Sequence, residues 1–257
     1  MNAITIDGPA ASGKSTVGYR VGQRLDFLFF DTGVMYRAVA WAILEEDIDC
    51  TDSDAVGRIA EKLPIAISAP TIGQSDGSQA TVEIDGRDIT WALHSPRVDR
   101  IVSLVAANSQ VRHELSRQQR RIGLAHGSGA DGHSGVVMVG RDIGTVVLPE
   151  APLKIYLLAP VEERARRRFR ETVSRGKEAD FTQILTDMRL RDEIDSHRAI
   201  APLRPAHDAY QIRTHCFSIE QIVDQILALS SEQLGAELSP SRAEDSVADC
   251  ATGDDQA

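Results

Sequence analysis

The chain has 257 residues, room for one large domain or one domain with an insert, and long enough to bury a real core. Its net charge of −10, from 38 acidic and 28 basic side chains, argues against general affinity for nucleic acid or an anionic membrane, while leaving room for a local basic site. Three widely spaced cysteines, Cys50, Cys216 and Cys250, form neither a disulfide framework nor a metal-ligand pattern. No apolar run approaches the ~20 residues of a membrane span, and "MNAITIDG" has no signal-peptide layout. A soluble cytoplasmic protein is expected.

The first element, Ala3–Asp7, reads as a buried strand and runs into "GPAASGKST". Gly8, Gly13, Lys14 and Ser15 satisfy G-x-x-x-x-G-K-[ST] between a strand and a helix, where a phosphate-binding loop must sit. The glycines let backbone N–H groups turn towards phosphate oxygens, and the helix N-terminus adds positive dipole. Lys14 is suited to neutralise β- and γ-phosphates, and the Ser15 hydroxyl to reach Mg²⁺. A tight turn with a surface lysine is the bland reading, and the complete pattern in its proper context disfavours it.

The helix over Lys14–Leu25 carries Val17, Val21 and Leu25 on one stripe, with Gly18 and Gly22 allowing close packing. A short apolar strand at 27–30 ends at Asp31. A helix follows from about Val34 to Glu46, with Met35, Ala38, Val39 and Ala42 facing inward. The segment 65–95 breaks the rhythm: "APTIGQSDGSQ" is a loop, and "TVEIDGRDIT" alternates around Asp85-Gly86, a hairpin signal. We read 65–95 as a small antiparallel insert leading into a helix from about Pro96 to Ile122. "AHGSGADGHSG" at 125–135 is a connector.

Strands at 136–140 and 153–159 are continuously apolar, and "AYQIRT" near 209–214 is a weaker one. Between them "EERARRRFRE" packs Arg164, Arg166, Arg167, Arg168 and Arg170 into seven residues. Glu162–Arg166 and Glu163–Arg167 at i, i+4 fit a solvated helix face and account for two of these arginines. The remaining three suit a lid that closes over a transferring phosphoryl group and excludes water. An amphipathic helix at 218–230 closes the domain. The last 20 or so residues are polar and acidic, and disorder is expected there.

Apolar strands alternating with helices imply an α/β fold with a parallel sheet covered on both faces. In such a sheet the carboxyl ends of the strands form the rim where ligands bind. Asp7-Gly8, Asp31 and Arg141-Asp142 all fall at that rim. Single charges there read equally as solvated loop residues, but three such clusters favour a second ligand facing the triphosphate.

With these pieces in view, the sequence resembles the bacterial cytidylate kinases through nearly its whole length. The distinctive phrases are "DTGVMYRAVA", "GRDIGTVVLPEAPLKIYL" and "RDEIDSHRAIAPLRPA". The resemblance implies a P-loop kinase core at 1–64 and 96–235 with a helical lid at about 161–180. Residues 65–95 become the antiparallel part of a monophosphate-binding insert, and 236–257 a disordered tail. It implies phosphoryl transfer from MgATP to CMP or dCMP, giving CDP or dCDP, by a monomer. Gly8, Pro9, Ala10, Ala11, Ser12, Gly13, Lys14, Ser15 and Thr16 would hold ATP, and Ser15 the metal. Thr32, where the family often has serine, would contact the acceptor nucleotide with Arg37. Ser103, Arg112 and Asp142 fall where the family reads cytosine, and Arg141 where it binds the acceptor phosphate. Arg191 and Asp195 match ribose-contacting residues, and Arg198 faces the nucleotide. Arg167 and Arg168 match lid arginines, placed with Lys14 and Arg191 among the catalytic groups.

The chemistry agrees with this reading. The nucleophile would be a phosphate oxygen already ionised near neutral pH, so no general base is needed. The cytosine amino group donates, and a carboxylate such as Asp142 accepts, whereas uracil presents a carbonyl there. Alternatively, Asp142 only braces Arg141. Two other readings of the chain stay open at this point. One is a P-loop kinase for another small metabolite or monophosphate, which an acceptor panel decides. The other is a GTP-binding switch, although no N-K-x-D run is present.

Overall fold

The structure is a computed structural model, which describes residues 1–68, 80–129 and 132–235. The loop at 69–79, part of the 125–135 connector and the acidic tail lie outside the described residues.

β1 (Ala3–Asp7) and β6 (Gly135–Gly140) are buried at every position. Strands so uniformly buried have no solvated face, and each takes a parallel neighbour on both sides. The sheet order is β2 (Phe27–Asp31), β6, β1, β7 (Leu153–Leu158), β8 (Tyr210–Arg213), all parallel. In this register Asp7 stands opposite Gly140 and Tyr156, and Asp31 opposite Val139. The carboxyl ends of four strands are therefore level.

Alternate residues of β6 serve different cores. Val137 and Val139 pack with Ile4 and Ile6 against α1 (Lys14–Leu25) and α8 (Ile219–Leu234). Val136 and Met138 face the other way, into a core built on α2 (Gly33–Glu45), α3 (Ser53–Lys62), α4 (Pro96–Ala107) and α5 (Ser109–Gly127). The period-2 side-chain alternation of a strand places helices on both faces. α1 begins where the phosphate-loop motif ends. α8 opens on a capping box, with Ser218 and Gln221 each bonding the other's backbone N–H.

The antiparallel insert also forms. β3 (Ile65–Ser68), β4 (Thr81–Ile84) and β5 (Arg87–Asp88) make a three-stranded sheet, and Asp85-Gly86 turns β4 into β5 with positive φ at both residues. Val82, Ile84, Ile89 and Leu93 pack with Ala38 of α2, which ties the insert to the core.

Three elements differ from the sequence-based expectation, one being the helix over Phe181–His197, to which the sequence reading gave no element. α3 was not anticipated, although Asp52 caps it by accepting from Ala55 N at 3.0 Å and Val56 and Ala60 are buried one turn apart. The expected helix over 96–122 is two helices broken at Asn108. Its backbone is extended, and its side-chain oxygen accepts from Gln110 N and Val111 N at 2.9 and 3.1 Å. Its amide also donates to the Ser53 carbonyl at 2.9 Å, so this break fixes the start of α5 against α3.

The glycine of α1 nearest the sheet has no room for a side chain. A Cβ at Gly18 would lie 2.6 Å from Val139 Cγ1 and 3.1 Å from the Phe29 ring. Gly18→Val should overpack this contact at a cost of about 1–3 kcal/mol. At roughly 2–4 °C per kcal/mol, thermal denaturation should register a drop of several degrees. An unchanged Tm would show that α1 can ride outward freely.

Candidate active site

The phosphate loop is held by backbone contacts that exclude larger residues. A Cβ at Gly8 would meet the Leu157 carbonyl oxygen at 2.2 Å, so the loop runs against β7 only because this position is glycine. Ala11 adopts a left-handed φ of 56°. Lys14 is the first residue of α1, and its Nζ folds back to donate to the Pro9 carbonyl at 2.7 Å and Ser12 Oγ at 3.4 Å. Burial, reinforced by the charge of Arg141, lowers its pKa well below the ordinary lysine value. An arriving polyphosphate would supply the anions this ammonium lacks.

Ser15 Oγ donates to Asp31 Oδ2 at 2.6 Å, and Asp31 Oδ1 accepts from Gly33 N at 2.9 Å. Asp31 is therefore no free loop carboxylate: it links the start of α1 to the start of α2. This hydroxyl–carboxylate pair beside the loop is an all-oxygen donor set of the kind that suits Mg²⁺, which completes its shell with phosphate oxygens and water. Thr32 turns inward, its hydroxyl donating to the Val139 carbonyl at 2.9 Å.

Across the rim, β6 delivers Arg141 and Asp142. Asp142 is 3% exposed and does not brace its neighbour. Its Oδ2 accepts from Arg112 Nη2 of α5, and its Oδ1 lies 3.6 Å from Arg198 Nη2. Arg112 is itself 2% exposed, donates to the Ala106 carbonyl at 3.1 Å, and lies with its guanidinium carbon 5.3 Å from the Tyr36 ring centroid. Arg141 turns instead to Asp195, with Nε 3.1 Å from Oδ2. Asp195 also faces Arg198 at 3.7 Å. Burial works against the Asp195 carboxylate, but Arg141, Arg191 and Arg198 outweigh it and hold its pKa below the usual value.

α7 (Phe181–His197) presents Arg191 and Asp195 one turn apart, and Arg198 follows directly at its C-terminal end. Burial, with the charge of Arg141, pushes the Arg191 guanidinium down to about 10, and its buried Nε has no hydrogen-bond partner among the described residues. A donor of this kind, surrounded by other cations, is suited to an incoming anion.

The arginine run lies on α6 (Val161–Ser174), and helical periodicity sorts it. Arg164, Arg167 and Arg168 share one face, while Arg166 and Arg170 are exposed. Arg167 donates to Thr214 Oγ1 at 3.0 Å and the Thr214 carbonyl at 2.9 Å, and reaches the Ser12 carbonyl at 3.5 Å. Arg168 donates to Asp99 Oδ2 at 2.8 Å, and Arg37 donates to Asp99 Oδ1 at the same distance. The expected Glu162–Arg166 pair is replaced: Glu162 accepts from Arg189 of α7 at 2.9 Å, and Arg166 turns to Glu163 at 3.2 Å. The rival partners lie one turn back and across the helix pair, which sequence spacing alone does not rank.

Arg37, Arg141, Arg168 and Arg191 thus gather around Asp99 and Asp195. Arg112, Asp142 and Arg198 form a second cluster joined to the first through Asp195. Ser103 is half-buried on α4, one turn beyond Asp99. Sequence reasoning gave no role to Asp99 or Tyr36, and placed Arg164 only among the lid arginines, without its tie to the phosphate loop. Arg164 is 3% exposed and ties α6 to the phosphate loop through the Ala10 carbonyl at 3.1 Å and to α7 through Asp192. Its i, i+3, i+4 spacing with Arg167 and Arg168 was the available signal.

A family model described as cytidylate kinase matches residues 4–232. The chain belongs to the cytidylate kinase family. A cytidylate kinase from Roseiflexus castenholzii is 47% identical over 227 residues, covering 88% of this chain and 92% of that protein. One from Herpetosiphon aurantiacus is 45% identical over 228 residues, covering 89% and 93%. One from Bacillus subtilis is 40% identical over 225 residues, covering 88% and 94%.

Within this cytidylate kinase family member, Asp7 joins the two halves. Its carboxylate accepts from Ile143 N at 2.9 Å and Gly144 N at 2.8 Å, fixing the helical turn that follows Asp142. Burial raises its pKa from 3.8 to about 6. A folded-state pKa above the unfolded one means the folded protein binds more protons between these values. The associated stability is complete below pH 3.8 and is lost as pH rises through 6, to a total of about 3 kcal/mol for two pKa units. Asp7→Asn should lack this dependence. Denaturant unfolding of the two proteins at pH 4 to 7 should show the wild type losing that much relative to the variant. Parallel profiles would assign Asp7 an ordinary pKa.

Proposed function

We propose that this chain transfers the γ-phosphoryl group of ATP to CMP or dCMP, giving ADP and CDP or dCDP. The observation that carries the reading is the buried Asp142, set between Arg112 and Arg198 at the end of β6 and facing the rim shared with the phosphate loop. A carboxylate facing two guanidiniums is an acceptor for the amino group of cytosine, and it repels the O4 carbonyl of uracil. We assign Ser103, one turn beyond Asp99 on α4, to the same base-reading group. Family membership supports the same acceptor class.

In this reading Gly8–Thr16 cradle the ATP phosphates, with Lys14 neutralising the β- and γ-groups. Ser15, together with Asp31, would hold Mg²⁺, which supplies charge stabilisation on the phosphate oxygens. Arg37, Arg141 and Arg191 receive the acceptor phosphate, and Asp195 meets the ribose. Thr32 serves the acceptor side by rotating its hydroxyl from Val139, or by backbone contact alone. Arg167, already against the loop at Ser12 and Thr214, and Arg168 supply charge to the transferring group. The acceptor phosphate is its own nucleophile, so the protein's work is positioning, charge stabilisation and exclusion of water.

Residues 161–180 act as the lid, 65–95 as part of the acceptor-binding insert, and 1–64 with 96–235 as the kinase core. We read the chain as a monomer, since both substrate sites draw on one polypeptide, and as a cytoplasmic enzyme. Among the described residues no helix is long and apolar enough to cross a membrane, and Cys50 and Cys216 are free thiols.

Initial rates with MgATP and CMP, dCMP, UMP, AMP or shikimate test the assignment. CMP and dCMP should lead, and a preference for AMP or shikimate would overturn it. Asp142→Asn should lower kcat/KM for CMP by one to two decades, about 1.5–3 kcal/mol for a charge-assisted hydrogen bond, and spare UMP. An unchanged CMP/UMP ratio would leave Asp142 a purely structural partner of Arg112 and Arg198. Lys14→Ala should abolish transfer with the fold intact by circular dichroism, and near wild-type turnover at saturating ATP would end its proposed role.

A further inference from the structure

Asp99 is a rim-cluster carboxylate to which neither the phosphate loop, the base-reading network nor the ribose contact assigns a role. It sits on α4, accepts Arg37 of α2 on one oxygen and Arg168 of α6 on the other, both at 2.8 Å. Arg37 is held from a second side by the Leu93 carbonyl at 2.9 Å. Arg168 has only an alternative carboxylate, Glu171, at 3.3 Å on its own helix. Arg191, whose buried Nε lacks a hydrogen-bond partner among the described residues, feels the charges of both Arg37 and Asp99. His94 and Arg175 are the further titratable groups near this cluster.

A carboxylate that bridges two guanidiniums occupies them as two oxygens of a phosphate would. It also ties α6, in the lid, to α4, beyond the insert. We propose that Asp99 is a built-in stand-in for substrate phosphate: it holds Arg37 and Arg168 until substrate arrives, then gives Arg37 up to the acceptor phosphate and Arg168 to the transferring phosphoryl group. The inference rests on the phosphoryl-transfer reading and adds to it a residue that acts through the arginines without touching the nucleotide. It gives the lid a resting position. It also moderates the field of four clustered arginines, so that anions bind only when they outcompete a carboxylate already in place.

The test is the affinity of the full chain for inorganic phosphate and for CMP, by calorimetry at fixed ionic strength. Asp99→Asn keeps the side-chain size and removes the competing charge. It should bind inorganic phosphate roughly ten-fold more tightly than wild type, one decade being about 1.4 kcal/mol, and should bind CMP more tightly too. Introducing it into an Arg168→Gln background should give a smaller gain, because the arginine it would release is gone. Amide exchange across 161–174 should quicken in the ligand-free variant and match wild type when CMP and an unreactive ATP analogue are bound. Asp99→Ser, smaller and also neutral, is measured alongside so that the outcome does not depend on one variant folding. Unchanged or weaker phosphate binding in the folded variants would overturn the proposal and make Asp99 a structural tie or a direct aid to binding. The phosphate measurement is independent of the acceptor base. A wild-type enzyme that ignores CMP would sink the substrate assignment and leave this result standing.

Discussion

Everything at the rim depends on the register of parallel strands. Asp7 stands level with Gly140, and Asp31 with Val139, because β1, β2 and β6 share one hydrogen-bonded register without a slip. A shift by a single residue would send Val137 and Val139 to the opposite core and turn Asp7 away from the turn it holds at Ile143 and Gly144. The uniform burial of β1 and β6 is what forbids that shift. A one-residue slip would exchange the residues facing α1 with those facing α2. The position of the phosphate loop relative to Arg141 and Asp142 is thus set by apolar packing some distance from any phosphate.

On this frame the protein concentrates positive charge in a chain whose net charge is −10. Buried guanidiniums are costly unless paired and hydrogen-bonded. Arg112 and Arg198 meet Asp142, Arg141 meets Asp195, and Arg37 meets Asp99. The pairing keeps the cluster folded without substrate and fixes the side chains where a phosphate and a base would need them. Arg191 and Lys14 have depressed pKa values, in each case through burial first and Arg141 second, and Arg198 is likewise depressed through burial first and Arg112 second. Two of these groups, Lys14 and Arg191, stand where phosphate oxygens would arrive in the proposed reaction. Such preorganisation needs little rearrangement when charge develops during transfer.

The elements carrying the arginines follow from short-range rules acting inside this frame. α6 turns Arg164, Arg167 and Arg168 to the same side by helical spacing, and each then finds a different partner: the phosphate loop, Thr214 and Asp99. Asn108 interrupts what would be one long helix, and the interruption separates the face of α4 that bears Asp99 and Ser103 from the face of α5 that bears Arg112. One continuous helix would carry all three along a single axis. The break lets Arg112 donate back to Ala106 while still reaching Asp142.

The sequence by itself determined the α/β class, the phosphate loop, the hairpin at Asp85-Gly86 and the rim positions of Asp7, Asp31, Arg141 and Asp142. Each of these rests on local chemistry: continuous apolar strands, a glycine-rich turn before a helix, charges directly after strands. Gly18 and Gly22 were legible as close-packing positions for the same reason. What only the tertiary structure decided was pairing. Asp142 takes Arg112 and Arg198, not the adjacent Arg141. Thr32 gives its hydroxyl to the sheet, Glu162 takes Arg189, and Asp99 joins two helices distant in sequence. Long, flexible charged side chains have many partners within reach along a chain. Which one is met depends on where the backbone brings the other helix, and on which unpaired charge would be most costly to bury.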